Sequence, residues 1–258
     1  MRFEHTVSID AEKCIGCGLC RDDCPTANIA VEGGKARAVS QECIMCGHCL
    51  AICPRVAVSL SGFDEEPREL EEGARLVPDE LLRALAARRS IRRFAHDAHE
   101  DGVVERIVEA GRLAPSGGNA QDVSFIVLRE GLAEAERSAV RLFRRLLPLA
   151  RLASPLARRI AVDDRFFFKG APAAIVVTAR EPVDGALAAA NMALMAEACG
   201  LGVLYSGFFS MAANSSPALR RMLGLERGRK VAATLVLGRP AVAYRRTAPK
   251  EPASVRFL

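Results

Sequence analysis

Tryptophan is absent from this 258-residue chain and tyrosine occurs only twice, so aromatic content by itself points to no function. Charge of one sign is also scarce. Lys and Arg number 36 against 31 Asp and Glu, a formal net charge of +5, too mild an excess for a dedicated nucleic-acid binder. An apolar secretory core is missing between Met1 and Asp10, a stretch that is polar and mixed in charge. The expected compartment is the reducing cytoplasm, where clustered Cys serve metals or redox chemistry rather than disulfides. Long uninterrupted hydrophobic runs are lacking too. Between Gly185 and Asn214 the only charged residue is Glu197, but Asn191 and the Gly200-Leu201-Gly202 break interrupt the stretch. A spanning helix wants about 20 consecutive apolar residues. No membrane span is expected, and the stretch reads as a buried helix followed by a buried strand. Composition also excludes a disordered chain, since half the residues are hydrophobic and 26% are charged.

Cysteine, by contrast, is abundant and ordered. Of nine Cys, eight fall in the first 53 residues as Cys14, Cys17, Cys20, Cys24 and then Cys43, Cys46, Cys49, Cys53. Each set reads C-x-x-C-x-x-C-x-x-x-C-P, closed by Pro25 and Pro54, and the second repeats the first at a constant offset. Three Cys two residues apart wrap a loop around one face of an iron–sulfur cube; the fourth ligates the cluster of the other repeat. Cluster one is expected on Cys14, Cys17, Cys20 and Cys53, and cluster two on Cys43, Cys46, Cys49 and Cys24. Gly16, Gly18 and Gly47 are expected to let the backbone approach the sulfides. A zinc site needs four ligands and gives no reason for the third Cys at C-x-x-C spacing or the C-P ending. His48 reads as solvent-facing, Cys199 as a buried thiol, and His5, His96 and His99 as surface residues. The segment from about 5 to 61 resembles bacterial two-cluster ferredoxins.

Residues 62–78 are polar, mostly acidic and punctuated by Gly and Pro, and read as a linker between a domain at 1–61 and another at 79–258. A helical period starts at Asp79, with Leu81, Leu82 and Leu85 on one face, and a second helix is expected from Asp101 to Leu113. A strand is expected at Val123–Leu128, and helix from 131 to 160 broken at Pro148 and Pro155. Further expected elements are a strand at Ala173–Ala179, a helix at Ala186–Cys199, and strands at Val203–Ser206 and Val231–Leu237. The alternation indicates an α+β or α/β domain.

Three segments of the larger domain carry chemistry. In Arg88–Phe94 (RRSIRRF), guanidinium forks and a hydroxyl match phosphate oxygens. Ala114–Gln121 (APSGGNAQ) is a Gly-rich loop offering the amides of Asn119 and Gln121. Ala198–Phe209 (ACGLGVLYSGFF) contains Gly-Leu-Gly but lacks the third Gly and follows a helix, so no Rossmann fingerprint is present. In this order, with FKGAPAAIVVTA (Phe168–Ala179) and the stretch ending at Pro240, the segments resemble the nitroreductase family of FMN flavoproteins.

That resemblance implies a three-layer α+β sandwich whose two subunits interlock as a homodimer, with FMN at the interface. It implies that Arg88, Arg89, Ser90 and Arg92 hold the FMN phosphate and ribityl chain. Pro115, Ser116, Asn119 and Gln121 match the loop that meets the flavin, usually from the other subunit. Tyr205, Ser206 and Gly207 match the turn beside the isoalloxazine, and Lys250, or in reserve Arg246, a second phosphate contact. Asp122 and Val123, and the Tyr205-Ser206-Gly207 turn itself, depart from common family patterns and leave substrate and nicotinamide use open.

The expected function is that of an iron–sulfur flavoprotein oxidoreductase. An external low-potential donor charges two [4Fe–4S] clusters, which reduce FMN for hydride transfer to a small nitroaromatic, quinone or enone. The alternatives are a non-catalytic electron relay or redox sensor, or another flavin reaction on this fold such as reductive dehalogenation or flavin fragmentation. No catalytic acid is assigned; Tyr205 and Ser206 are candidates only. Residues 135–168 are expected to form a lid over the flavin, with an Arg-rich face that reads as a solvated helix surface.

Overall fold

The computed structural model describes residues 5–40, 42–71, 73, 75–95 and 101–258. His96 and His99 therefore lie outside the described residues. The chain divides into two compact units, one of residues 1–75 with 117–120, the other of 76–116 with 121–258.

The first unit is built on the cysteine repeats. Strand β1 (Val7–Ile9) pairs antiparallel with β4 (Val58–Leu60), and β2 (Ile29–Glu32) pairs with β3 (Lys35–Ala38). Two single-turn helices, α1 (Leu19–Asp22) and α2 (His48–Ala51), carry the third Cys of each repeat, Cys20 and Cys49. Each is entered through a left-handed glycine, Gly18 and Gly47, at φ 81° and 76°. The small core consists of Ile29, Ala36, Ala57 and Val58 packed with Cys14, Cys20 and Cys49. So little apolar surface is a weak basis for an independent fold, and metal binding is the usual supplement at this size.

In the second unit an antiparallel sheet runs in the order β5 (Ser124–Leu128), β6 (Ala173–Ala179), β8 (Lys230–Gly238), β7 (Gly202–Tyr205). All seven residues of β6 are buried, which is why that segment is apolar apart from Thr178 rather than alternating. Its side chains leave toward opposite faces in turn. Ile175 and Val177 join a core with α4 (Asp101–Arg112) and α7 (Pro182–Ala198), through Ile107, Ala188 and Met192. Ala174 and Val176 join another with α5 (Leu132–Ala153), α8 (Gly207–Ser215) and α9 (Pro217–Met222), through Ala139, Phe209 and Leu219. The result is a helix–sheet–helix sandwich, as expected.

Four expectations need correction. Pro148 does not break α5; it removes one intrahelical hydrogen bond and the helix continues to Ala153, while Pro155 opens the short α6 (Pro155–Arg159). Residues 135–140 are not part of a lid, because Ala135, Glu136, Ala139 and Val140 are buried in the core. The stretch after β7 forms two further helices, α8 and α9, that the apolar composition had concealed. Cys199 is half-buried rather than buried. In addition, α3 (Pro78–Ala87) has no buried residue, and Leu82 and Leu85 on its apolar face are exposed.

Candidate functional site

In the first unit, the cysteines gather in two hollows. Cys14, Cys17, Cys20 and Cys53 line one; Cys43, Cys46, Cys49 and Cys24 line the other. Each hollow therefore takes three sulfurs from one repeat and one from the other, which is the grouping expected from the spacing. Backbone N–H groups point at the sulfurs in matching places: Asn28 donates to Cys24 Sγ at 3.2 Å and Ala57 to Cys53 Sγ at 3.3 Å. Ala36 donates to Cys14 Sγ and Met45 to Cys43 Sγ, both at 3.3 Å. Hydrogen bonds from the Ala36 and Gly16 amides hold the Cys14 thiol below its ordinary pKa, whereas burial pushes Cys20 and Cys49 up. Gly16 is at φ +68°, and a Cβ there would fall 2.2 Å from the Gly34 carbonyl oxygen, so this turn closes only on glycine. Among the described residues no three His, Cys, Asp or Glu side chains draw together tightly enough for one metal ion. The fit to a cluster thus rests on thiol count, spacing and N–H donors. His48 is exposed, with Nδ1 3.2 Å from Asp23 Oδ2, as a solvent-facing residue should be.

A cleft of about 600 Å³ opens in the second unit. Arg92, Leu204, Tyr205, Ser206 and Gly207 line it together with Phe166, Phe167, Lys169, Phe208 and Met211. The RRSIRRF segment reaches this place because it extends the sheet edge. Ile91 N–H donates to the Val203 carbonyl at 3.0 Å, and Ala95 N–H to that of Arg239 at 2.8 Å. Gly202 leaves room for Ile91, whose Cγ1 would lie 2.4 Å from an added Cβ. Arg88 Nη1 is buried without a hydrogen-bond partner. Its segment meets β7 two residues on, where Ser90 bridges Val203, and its charge acts on Tyr205 at the end of β7 and on Glu197 of α7. A buried guanidinium nitrogen with no acceptor is costly unless something else supplies one. Arg89 lies over the Tyr244 ring at 5.7 Å.

The first amides of α8 add to the fit. Ser210 N–H is the first to bond back within the helix, to Ser206 O, and no side chain caps the N-terminus. The N–H groups of that first turn have no intrahelical partner, and a Cβ on Gly207 would meet open space. The two hydroxyls considered as proton donors are tied elsewhere. Tyr205 donates to the Ala189 carbonyl at 2.8 Å and Ser206 to that of Phe167 at 2.9 Å. Burial pushes the Tyr205 phenol above its ordinary pKa, against the opposing pull of Arg88.

Other expected residues lie apart from this lining. Pro115 is exposed, Ser116 Oγ accepts from Gln121 N–H at 3.0 Å, and Asn119 donates to the Ile44 and Met45 carbonyls within the first unit at 2.9 and 2.8 Å. Asn119 and Gln121 hold left-handed backbones, φ 51° and 47°. Arg246 and Lys250 are exposed in the irregular C-terminal tail. Lys169 and Phe208 were not anticipated. A lone Lys between a Phe run and a Gly carries no spacing signal.

Comparison with known proteins gives concordant results. The profile of the nitroreductase family matches residues 85–239, and that of the 4Fe-4S dicluster domain matches residues 6–54. A curated protein of Archaeoglobus fulgidus, named provisionally as an NADH dehydrogenase/NAD(P)H nitroreductase, is 29% identical over 172 residues, covering 63% of this chain and 86% of its own. A nitroreductase with bound FMN from Desulfitobacterium hafniense superposes with a TM-score of 0.55 at 25% identity, covering 69% of this chain and 98% of its own. Another with bound FMN, from Bacteroides fragilis, reaches 0.57 at 20% identity, with coverage of 69% and 98%.

Proposed function

The chain belongs to the nitroreductase family and carries a 4Fe-4S dicluster module, and from that premise we propose an electron route for an FMN-dependent oxidoreductase. An external low-potential donor supplies the clusters, and a small electrophile such as a nitroaromatic, quinone or enone is the final acceptor. The observation that carries this reading is the division of eight thiols between two hollows in a chain that also holds a cleft lined by Arg92 and the Tyr205–Gly207 turn, and a buried, unpartnered nitrogen on Arg88 of the same RRSIRRF segment. Bound FMN supplies the conversion of single electrons, carried by the clusters, into a two-electron hydride reduction.

The protein's own part is to bind and orient. Cys14, Cys17, Cys20 and Cys53 hold one cluster and Cys43, Cys46, Cys49 and Cys24 the other. Thiols must lose their protons on binding, which the Ala36 and Gly16 amides favour at Cys14 and which, against burial, hydrogen bonds from Thr26 and Asn28 favour at Cys24. Arg88, Arg89, Ser90 and Arg92 take the FMN phosphate and ribityl chain, and Arg88 Nη1 gains the acceptor it lacks. Tyr205, Ser206 and Gly207 present backbone at the α8 N-terminus to the flavin ring, and Phe166 and Phe208 exclude water from one side. With the Tyr205 and Ser206 hydroxyls tied to carbonyls, solvent is left to supply the proton. The exposed apolar face of α3 supports a homodimer, in which Pro115, Ser116, Asn119, Gln121, Arg246 and Lys250 serve the flavin across the interface.

Anaerobic purification with iron, sulfide and flavin quantified is the first test, followed by reduction with ferredoxin or NADH. A Cys14→Ser/Cys43→Ser variant should keep its flavin and lose ferredoxin-driven bleaching. Rapid bleaching of that variant by NADH alone would overturn the internal route. Flavin-loaded protein that reduces none of a panel of nitroaromatics, quinones and enones would leave an electron relay instead.

A further inference from the structure

Lys169 occupies an unusual position in the cleft. Its backbone is left-handed, φ 56°, and Gly170 follows at 73°. Such a conformation is disfavoured for any residue with a Cβ, and strain of this kind gathers at ligand clamps and active sites. The turn is held from two directions. Lys169 N–H donates to the Arg165 carbonyl at 2.9 Å, and the buried Glu136 accepts from Phe167 and Phe168 N–H at 2.7 and 3.1 Å. The consequence is that Nζ stands 4.8 Å from the centroid of the Phe166 ring, on the cleft lining.

The surroundings of that ammonium group are selective. Among the described residues the lining contains no Asp or Glu, and its charged residues are Arg92 and Lys169. Arg92 belongs to the segment assigned above to the FMN phosphate and ribityl chain, whereas Lys169 belongs to the aromatic wall. Phe166 and Phe208 lie 5.6 Å apart at an interplanar angle of 32°, a surface suited to a flat ring. Glu136 is the acid whose field reaches Lys169, and its Oε1 is committed to the two backbone amides beneath the turn. Among the described residues no carboxylate forms an ion pair with Lys169. A half-buried cation beside an aromatic surface, with no acid in reach across the cleft, is complementary to a planar ligand that carries its own negative charge.

We propose that Lys169 is the anion subsite of the acceptor pocket, so that the cleft prefers aromatic acceptors bearing a carboxylate over their neutral counterparts. The proposal rests on the flavin reading of this cleft. Its test separates the two by measuring binding and turnover independently in the full-length, flavin-loaded protein. Binding of benzoate and of benzamide, neither of which is reduced, is followed by the change in flavin absorbance. Anaerobic reduction of 4-nitrobenzoate and of 4-nitrobenzamide is followed with a chemically reduced viologen as donor. The wild type should bind benzoate more tightly and turn over 4-nitrobenzoate with the higher kcat/KM, by roughly tenfold, the scale of one partly solvated charge-assisted contact. Lys169→Met should erase that preference while flavin content and neutral-substrate turnover stay within about twofold of wild type, and Lys169→Arg should keep it. A preference that survives Lys169→Met, or its absence in the wild type while both nitro compounds are reduced, overturns the subsite and leaves the flavin reading intact. A wild type that binds benzoate through Lys169 but reduces neither nitro compound upholds the subsite and overturns the nitroaromatic reading. Equal loss of flavin from Lys169→Met and Lys169→Arg would instead make Lys169 a flavin contact and sink the proposal.

Discussion

Glu136 shows how a single buried carboxylate can organise a pocket it does not line. It sits on the inner face of α5, and its Oε1 receives the amides of Phe167 and Phe168. Burial pushes its pKa above the ordinary value, with the two amides and the Lys169 charge pulling the other way. The folded state therefore holds the proton more tightly than the unfolded chain. Stability from this group is fully present below the unfolded value near 4.5 and is lost as pH rises through the raised folded value. Glu136→Gln keeps an acceptor and removes the titration. The melting temperature of wild type minus that of Glu136→Gln should fall as pH is raised from 5 toward 8, and a flat difference would show that the carboxylate is not penalised. The neighbouring residues differ in legibility. The cysteine ladder could be read because ligand spacing is a local property. The roles of Glu136 and Lys169 depend on contacts between α5 and the Phe166–Gly170 turn, which no local pattern announces.

Helices and strands show the same division between local and distant causes. β6 was legible to the residue, since a β-branched, uncharged run bounded by Pro172 and Arg180 admits little else. α8 was not, because in GFFSMAANS the face turned away from the core also carries apolar side chains, Phe208 and Met211 on the cleft lining, while Ser210 lies on the buried face; the polar–apolar stripe that marks a helix is thereby blurred. In α3 the leucine period was legible but its partner is not among the described residues of this chain. α4 and α7 depend on close approach. At Gly111 an added Cβ would fall 2.8 Å from Met192 Cγ and Sδ and from Phe125 Cε1. Gly111→Val should therefore cost about 1–3 kcal/mol through overpacking. A lowered denaturation midpoint with an unchanged denaturant slope is the expected result; no change would mean that the α4–α7 contact can dilate freely.

At the scale of the whole molecule, the two compact units draw on different sources of stability. The larger has two extended apolar cores, with Ile107, Ile175, Met192, Phe167 and Leu219 among its fully buried side chains. The smaller has few apolar residues of its own, and three of its buried residues are cysteines. Anaerobic removal of iron by a chelator should abolish the thermal transition of the smaller unit, because bound metal is much of its folding free energy. The larger unit's transition should stay in place; a shift of both transitions together would count against separate cores. The presence of two units was suggested by composition. The membership of residues 117–120 in the first was not, since it arises from tertiary contacts such as those of Asn119 with Ile44 and Met45.

The exchange of the fourth cysteine between repeats has a further consequence. Cys53 stands in the hollow of the first repeat and Cys24 in that of the second. In the proposed ligation each cluster would be a cross-link between the two halves, closing a loop of chain as a disulfide would and restricting the unfolded ensemble in the same way. Two such braces would make the module redundant, since loss of one would leave the halves fastened by the other.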